Sequence, residues 1–131
     1  MNPALRAFVP VFALIAALIT GTAAAADAPA EKWRLNFQGQ ATSDGEVHLR
    51  LTPQTGEPIV VTIKIHSGRG QMFMAKDLLA AFKTQLPKGR FKSEIIHVQD
   101  VYLRAGNGEP AFTIEFVDST VAGTKVHIGP V

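Results

Sequence analysis

Residues 71–86, QMFMAKDLLAAFKTQL, are the stretch from which the fold can be predicted. Their apolar side chains recur at i, i+3, i+4, i+7 and i+11, the spacing of a helix that buries one face. These side chains are Ala75, Leu78, Leu79, Phe82 and Leu86. Outside the N-terminal apolar run, the other patterned stretches alternate as β-strands do. Because a lone helix among strands must cover a sheet to bury its apolar face, we predict a helix packed on a sheet.

The strands on either side of this helix follow from the alternation of apolar and polar residues. They fall at residues 33–38, 46–51, 59–66, 91–103, 112–116 and 126–128. This order, β-β-β-α-β-β-β, predicts an α+β fold: an antiparallel sheet of about six strands with the amphipathic helix packed on one face. The run 91–103 changes phase near Gln99 and Asp100, which indicates a β-bulge or a bend, and Asn107-Gly108 predicts a hairpin turn. A small β-barrel or sandwich with one helix is the alternative fold.

Residues 1–26 have the layout of a secretory signal peptide. Arg6 is basic, residues 8–19 are an uncharged apolar core interrupted by Pro10, and small residues precede a cleavage point after Ala26. This core is shorter than the ~20 residues that span a bilayer, which argues against the alternative of an uncleaved membrane anchor. We therefore predict cleavage, a single α+β domain over residues 27–131 without a transmembrane anchor, and a mature protein in the periplasm or secreted.

Charge and cysteine content exclude several classes of function. The chain has 13 Lys and Arg, 11 Asp and Glu and no Cys, and Arg6 is the only charged residue of the leader. Residues 27–131 therefore have a net charge of +1, which gives no general attraction to nucleic acid or to an anionic membrane. The lack of cysteine excludes thiol catalysis and thiolate metal sites, and it means that the core alone must hold the domain together.

One candidate site would bind an anion through Arg69 and a basic run at the end of the helix. Arg69 lies in a glycine-containing link before the helix, where backbone N–H groups favour anions. The basic run consists of Lys83, Lys88, Arg90 and Lys92. No acidic residue interrupts it, so it predicts a site for an anion or a polysaccharide of the cell envelope. The alternative is a flexible glycine turn followed by a solvated helix end.

A second candidate site would bind a metal through His66, Met72 and Met74. Thioether and imidazole ligands suit Cu(I), and Met72-Phe73-Met74 resembles the methionine pair of periplasmic copper carriers of the CusF type. The resemblance covers three residues, and it implies a carrier whose two methionines share one face of a strand. On a helix the two side chains would lie about 200° apart, and the alternative is that they fill gaps in the core. Beyond this metal hypothesis, the sequence predicts no cofactor.

The sequence contains no recognisable catalytic arrangement. Its four histidines lack metal-binding spacing, and no serine stands in a nucleophile motif. We therefore predict that the protein is not an enzyme but an exported binding or structural module of the cell envelope. The predicted partner is an envelope or extracellular protein, including a second copy bound through a sheet edge near Val126 and Ile128. The copper carrier and the anion- or polysaccharide-binding module are the alternatives, and nucleic acid is not a predicted partner.

Overall fold

The computed structural model describes residues 28–131, so the predicted signal peptide at residues 1–26 lies outside the described residues. The described part of the chain has seven strands and one helix. The elements are β1 (Lys32–Gly39), β2 (Gly45–Pro53), β3 (Ile59–Ile65), α1 (Gln71–Gln85), β4 (Phe91–Ile96), β5 (Asp100–Ala105), β6 (Phe112–Ser119) and β7 (Thr124–Pro130). The prediction of an α+β fold with antiparallel strands and one helix is confirmed.

The strands form two sheets, and the prediction of about six strands in one sheet is wrong in this detail. One sheet has the order β4-β5-β1-β7, and the other has the order β3-β2-β6. All neighbouring strands within them are antiparallel. Each sheet contributes one face to a shared hydrophobic core, which makes the architecture closer to the sandwich alternative.

The additional strand comes from a tight turn where the sequence predicted a bulge or a bend. Residues 97–99 reverse the chain between β4 and β5, so that Ile96 pairs with Asp100. His97 and Val98 have φ angles of 57° and 70°, and the N–H of Gln99 donates to the carbonyl of His97 over 2.7 Å. The turn contains no Gly, Pro, Asn or Asp, the residues that usually signal such a reversal, and this is why the pattern did not predict it.

The predicted hairpin at Asn107-Gly108 is a connection between the two sheets. It follows β5, which pairs with β4 and β1, and it precedes β6, which pairs with β2. Gly108 has a φ of 80°, so the turn chemistry is as predicted while the strands that it joins do not pair.

Helix α1 directs its apolar face into the core. Its buried residues are Met74, Ala75, Leu78, Ala81 and Phe82, whereas Leu79 is half-buried. The helix ends at Leu86, whose N–H donates to the carbonyl of Phe82 over 3.1 Å, and Pro87 follows. α1 contacts β3 of one sheet and β1, β4 and β5 of the other, so it lies across both sheets.

A buried tryptophan links the two sheets near the start of β6. The indole N–H of Trp33 on β1 donates to the carbonyl of Phe112 on β6 over 2.9 Å. The ring of Phe112 also meets the ring of Phe91 on β4 edge-on, with centroids 5.0 Å apart. These contacts fix the spacing of the sheets at the start of β6.

Candidate functional site

Two of the five predicted anion ligands are already paired with acids. The guanidinium of Arg69 donates to both carboxylate oxygens of Asp77, over 2.7 and 3.1 Å. The Nε of Arg90 lies 3.4 Å from a carboxylate oxygen of Glu109. Arg69 is also about 20 Å from Lys83 along the helix axis. The structure therefore does not bring Arg69 and Arg90 into one site with the three lysines.

The three lysines line one hollow beside the C-terminal end of α1. The hollow has a volume of about 530 Å³, and Lys83, Lys88 and Lys92 line it together with Arg104. Sequence analysis missed Arg104 because it lies on β5, outside the basic run. Its apolar lining comes from Phe82, Leu86, Phe91 and Leu103. Across residues 28–131, no carboxylate lies within 4.0 Å of any of the four cations.

The three candidate metal ligands are not brought together. Met74 is fully buried in the core, whereas Met72 is 40% exposed on another side of α1. The side chain of His66 is 83% exposed, and its Nδ1 lies 3.8 Å from a carboxylate oxygen of Asp44. In the part of the chain that the structure describes, no group of three or more His, Asp or Glu residues is arranged to hold a metal ion. The position of Met74 matches the core-filling interpretation instead.

One gap between the two sheets is closed by α1, and we call it the covered seam. It lies between β3 and β4, which are edge strands of different sheets, and α1 contacts both. Gln85 covers the edge of β3: its Oε1 accepts from the N–H of Thr62 over 2.9 Å, and its Nε2 donates to the carbonyl of Thr62 over 2.7 Å. The side-chain amide thereby takes the place of a neighbouring strand.

The opposite gap lies between β6 and β7, and we call it the bare seam. β6 and β7 are also edge strands of different sheets, and no backbone hydrogen bond joins the two within residues 28–131. A crevice of about 250 Å³ opens between them. Its apolar lining comes from Phe37, Val47, Phe116, Val121 and Val126. Phe116 is 49% exposed and Val117 is 37% exposed. The alternation of apolar residues predicts correctly that Phe116 lies on a strand, but its side chain is not part of the core.

A histidine between two carboxylates ties β6 to β2 beside the bare seam. The Nδ1 of His48 lies 2.6 Å from Asp118 on β6, and its Nε2 lies 3.3 Å from Glu46 on its own strand. The hydrogen bond to Asp118, helped by the charges of both carboxylates, raises the pKa of His48 above its ordinary value. A β-bulge at Val117 sets this contact, because Leu49 pairs with Phe116 and His48 pairs with Asp118. The Glu46-x-His48 spacing is visible in the sequence, but the partner on β6 is not.

Comparisons with known proteins do not assign a function. No family model, curated protein or solved structure matches the chain. Within residues 28–131, no helix combines the length and the apolar character needed to cross a membrane. What the protein binds therefore has to be inferred from the geometry of its surface.

Proposed function

We propose that the protein is an exported, non-catalytic binding module of the cell envelope that binds a partner protein at the bare seam. The observation that carries the proposal is the half-exposed side chain of Phe116 at an apolar crevice between β6 and β7, two edge strands that do not pair with each other. Burying a large apolar side chain is worth about 1.5–3 kcal/mol, so a partner that covers Phe116 gains binding energy there.

An extended segment of the partner fits this surface. Edge strands present unpaired N–H and C=O groups, and an extended segment can pair with them while one of its apolar side chains enters the crevice. β6 is the better edge, because it pairs with β2 in regular register up to the bulge at Val117. The N–H and C=O of Phe112 are already bonded to Ala30, so the edge open to a partner lies beyond that residue. β7 carries Lys125 and ends at Pro130, which lacks an N–H, and both features oppose the addition of a strand.

Site-specific photo-crosslinking in cells that produce the full chain tests this proposal. Phe116 is replaced by benzoylphenylalanine, and the matched control carries the same group at Val60. Val60 is also an exposed apolar residue, 51% accessible, on the edge strand β3 of the same sheet. We expect a defined adduct from position 116 and none from position 60.

The mass of the adduct identifies the kind of partner. An adduct of two copies of this chain indicates self-association, and an adduct of another mass indicates a different envelope protein. Both outcomes support the proposal. Equal or absent adducts at the two positions would contradict it.

The alternative function of a copper carrier has less support. A copper carrier needs Met72 and Met74 to meet one ion, and Met74 is enclosed by the core. That the protein is not an enzyme, and that it is periplasmic or secreted, stay predictions from the sequence.

A further inference from the structure

The outer face of the four-stranded sheet carries three positive charges in a row on neighbouring strands. Lys92 on β4 pairs with Arg104 on β5, and Arg104 pairs with Lys32 on β1. Paired residues point to the same face of the sheet, with Cβ atoms ~4.5–5.5 Å apart. No carboxylate in the described part of the chain lies within 4.0 Å of any of the three. Like charges in this position destabilise a sheet, and no ion pair within residues 28–131 offsets this cost.

The row continues into the hollow at the end of α1. Lys92 and Arg104 line that hollow together with Lys83 and Lys88, so the lining carries four cations against one acid, Glu94. We call the five residues the cationic strip: Lys32, Lys83, Lys88, Lys92 and Arg104. Lys83 also balances the negative end of the helix dipole, but this does not account for the three cations on strands. Since residues 27–131 have a net charge of only +1, the strip concentrates positive charge on one side of the molecule.

The surface around the strip is elongated. A second hollow of about 430 Å³ on the same sheet face is lined by Arg34, Tyr102 and His127, among others. The Nζ of Lys32 stands 4.7 Å from the centre of the Tyr102 ring, so Lys32 reaches from the row towards this second hollow. Successive strands add ~4.8 Å each, and the two hollows therefore lie along one path across the sheet. Such a surface suits an extended chain with repeated negative charges better than one small anion.

We infer that the cationic strip binds an acidic polysaccharide, a chain of sugars that bear carboxylates. Its lysine and arginine side chains donate charge-assisted hydrogen bonds to successive carboxylates. Single-stranded nucleic acid is the less suitable polymer, because it binds on several exposed aromatic side chains. In the first hollow Phe82 is 2% exposed and the ring of Phe91 packs against Phe112, and in the second hollow the aromatic ring for stacking is that of Tyr102. This inference does not depend on the bare seam, because none of the five residues of the cationic strip lies on β6 or β7.

Isothermal titration of the purified protein with a short oligogalacturonate tests the inference. We expect saturable binding that weakens as salt rises, and no binding of a neutral dextran oligomer. Arg104→Gln removes the centre of the row and should weaken the affinity by about three- to fivefold. Lys64→Gln, an exposed lysine on β3 in the other sheet, is the matched control and should leave the affinity unchanged.

Three results would overturn the inference. They are the absence of saturable binding, an equal loss of affinity in Lys64→Gln and Arg104→Gln, and tighter binding of oligothymidylate than of oligogalacturonate at the same salt concentration. An equal loss of affinity in the two variants would indicate non-specific electrostatic attraction. Tighter binding of oligothymidylate would indicate a nucleic-acid-binding surface.

The thermal stability of Arg104→Gln distinguishes a ligand-binding row from a structural one. If the three cations repel one another, removing the middle charge should leave the melting temperature unchanged or raise it, while affinity falls. A lower melting temperature for Arg104→Gln than for the unmodified protein would mean that the row stabilises the fold, and it would overturn the argument from repulsion.

Discussion

At the covered seam, α1 contacts the edge strands β3 and β4, and Gln85 bonds to both backbone groups of Thr62. At the bare seam, β6 and β7 also end their sheets, but Phe116 stands half-exposed at a crevice instead of being covered by a helix. The same two sheets thus have one edge pair stabilised from within the chain and one edge pair left accessible. One edge pair is therefore covered by residues of the chain itself, and the other is where the proposed partner would bind.

The largest expected difference between the seams is in stability. Phe82→Ala removes a side chain that is 2% exposed, so we expect a loss of about 3–5 kcal/mol in the free energy of unfolding. Phe116→Ala removes a side chain that is 49% exposed, and we expect a smaller loss of about 1 kcal/mol because only half of this side chain is buried. Urea denaturation of both variants measures the two values. Similar losses would mean that Phe116 belongs to the core and that the bare seam is closed.

A smaller effect is expected where Gln85 covers the edge of β3. Gln85→Ala removes two hydrogen bonds to Thr62 and should cost about 1 kcal/mol, because exposed hydrogen bonds contribute little net energy. Gln85→Glu keeps an acceptor for the Thr62 N–H but places a carboxylate oxygen against the Thr62 carbonyl and at the negative end of the helix dipole, so its loss should be at least as large as that of the alanine variant. Urea denaturation of the three proteins at one pH checks the order. Equal stability of all three would mean that the amide does not secure this edge.

The smallest expected effect concerns His48, which ties β6 to β2 beside the bare seam. Its folded-state pKa is raised above 6.5, so its contribution to stability is complete below pH 6.5 and is lost as pH rises through the folded-state pKa. We expect His48→Gln to melt about 1–4 °C lower than the unmodified protein at pH 5.5.

At pH 8.5 this difference in melting temperature should be smaller. His127→Gln, on β7 of the other sheet, controls for the loss of a surface imidazole. A difference for His48→Gln that is the same at both pH values, or larger at pH 8.5, would contradict the assigned role of the Asp118 hydrogen bond.

The elements that could be predicted are those encoded by local spacing. The helix follows from Ala75 to Leu86, and the alternation of Trp33, Leu35 and Phe37 predicts β1, whose inward residues are all buried. The reversal at residues 97–99 could not be predicted in this way, because a left-handed His97 and Val98 give no turn signal. The division into two sheets depends on pairings between distant strands, such as β1 with β5 and β7, which no local pattern records.

The candidate sites, too, could be predicted only where their residues are close together in the sequence. Lys83, Lys88 and Lys92 are close in sequence and line one hollow in the structure, whereas Arg104 and Lys32 join them only through strand register. The exposure of Phe116 could not be predicted from the sequence either. Alternation shows which face of a strand a residue lies on, but not whether a second sheet or a helix covers that face.

Amide hydrogen exchange of the isolated protein tests the contrast between the seams most directly. The account predicts slow exchange for the amide of Thr62, which donates to Gln85, and fast exchange for the amides of β6 that face β7. Protection of those β6 amides as strong as that of Thr62 would contradict it, because the bare seam would then already be closed within the molecule.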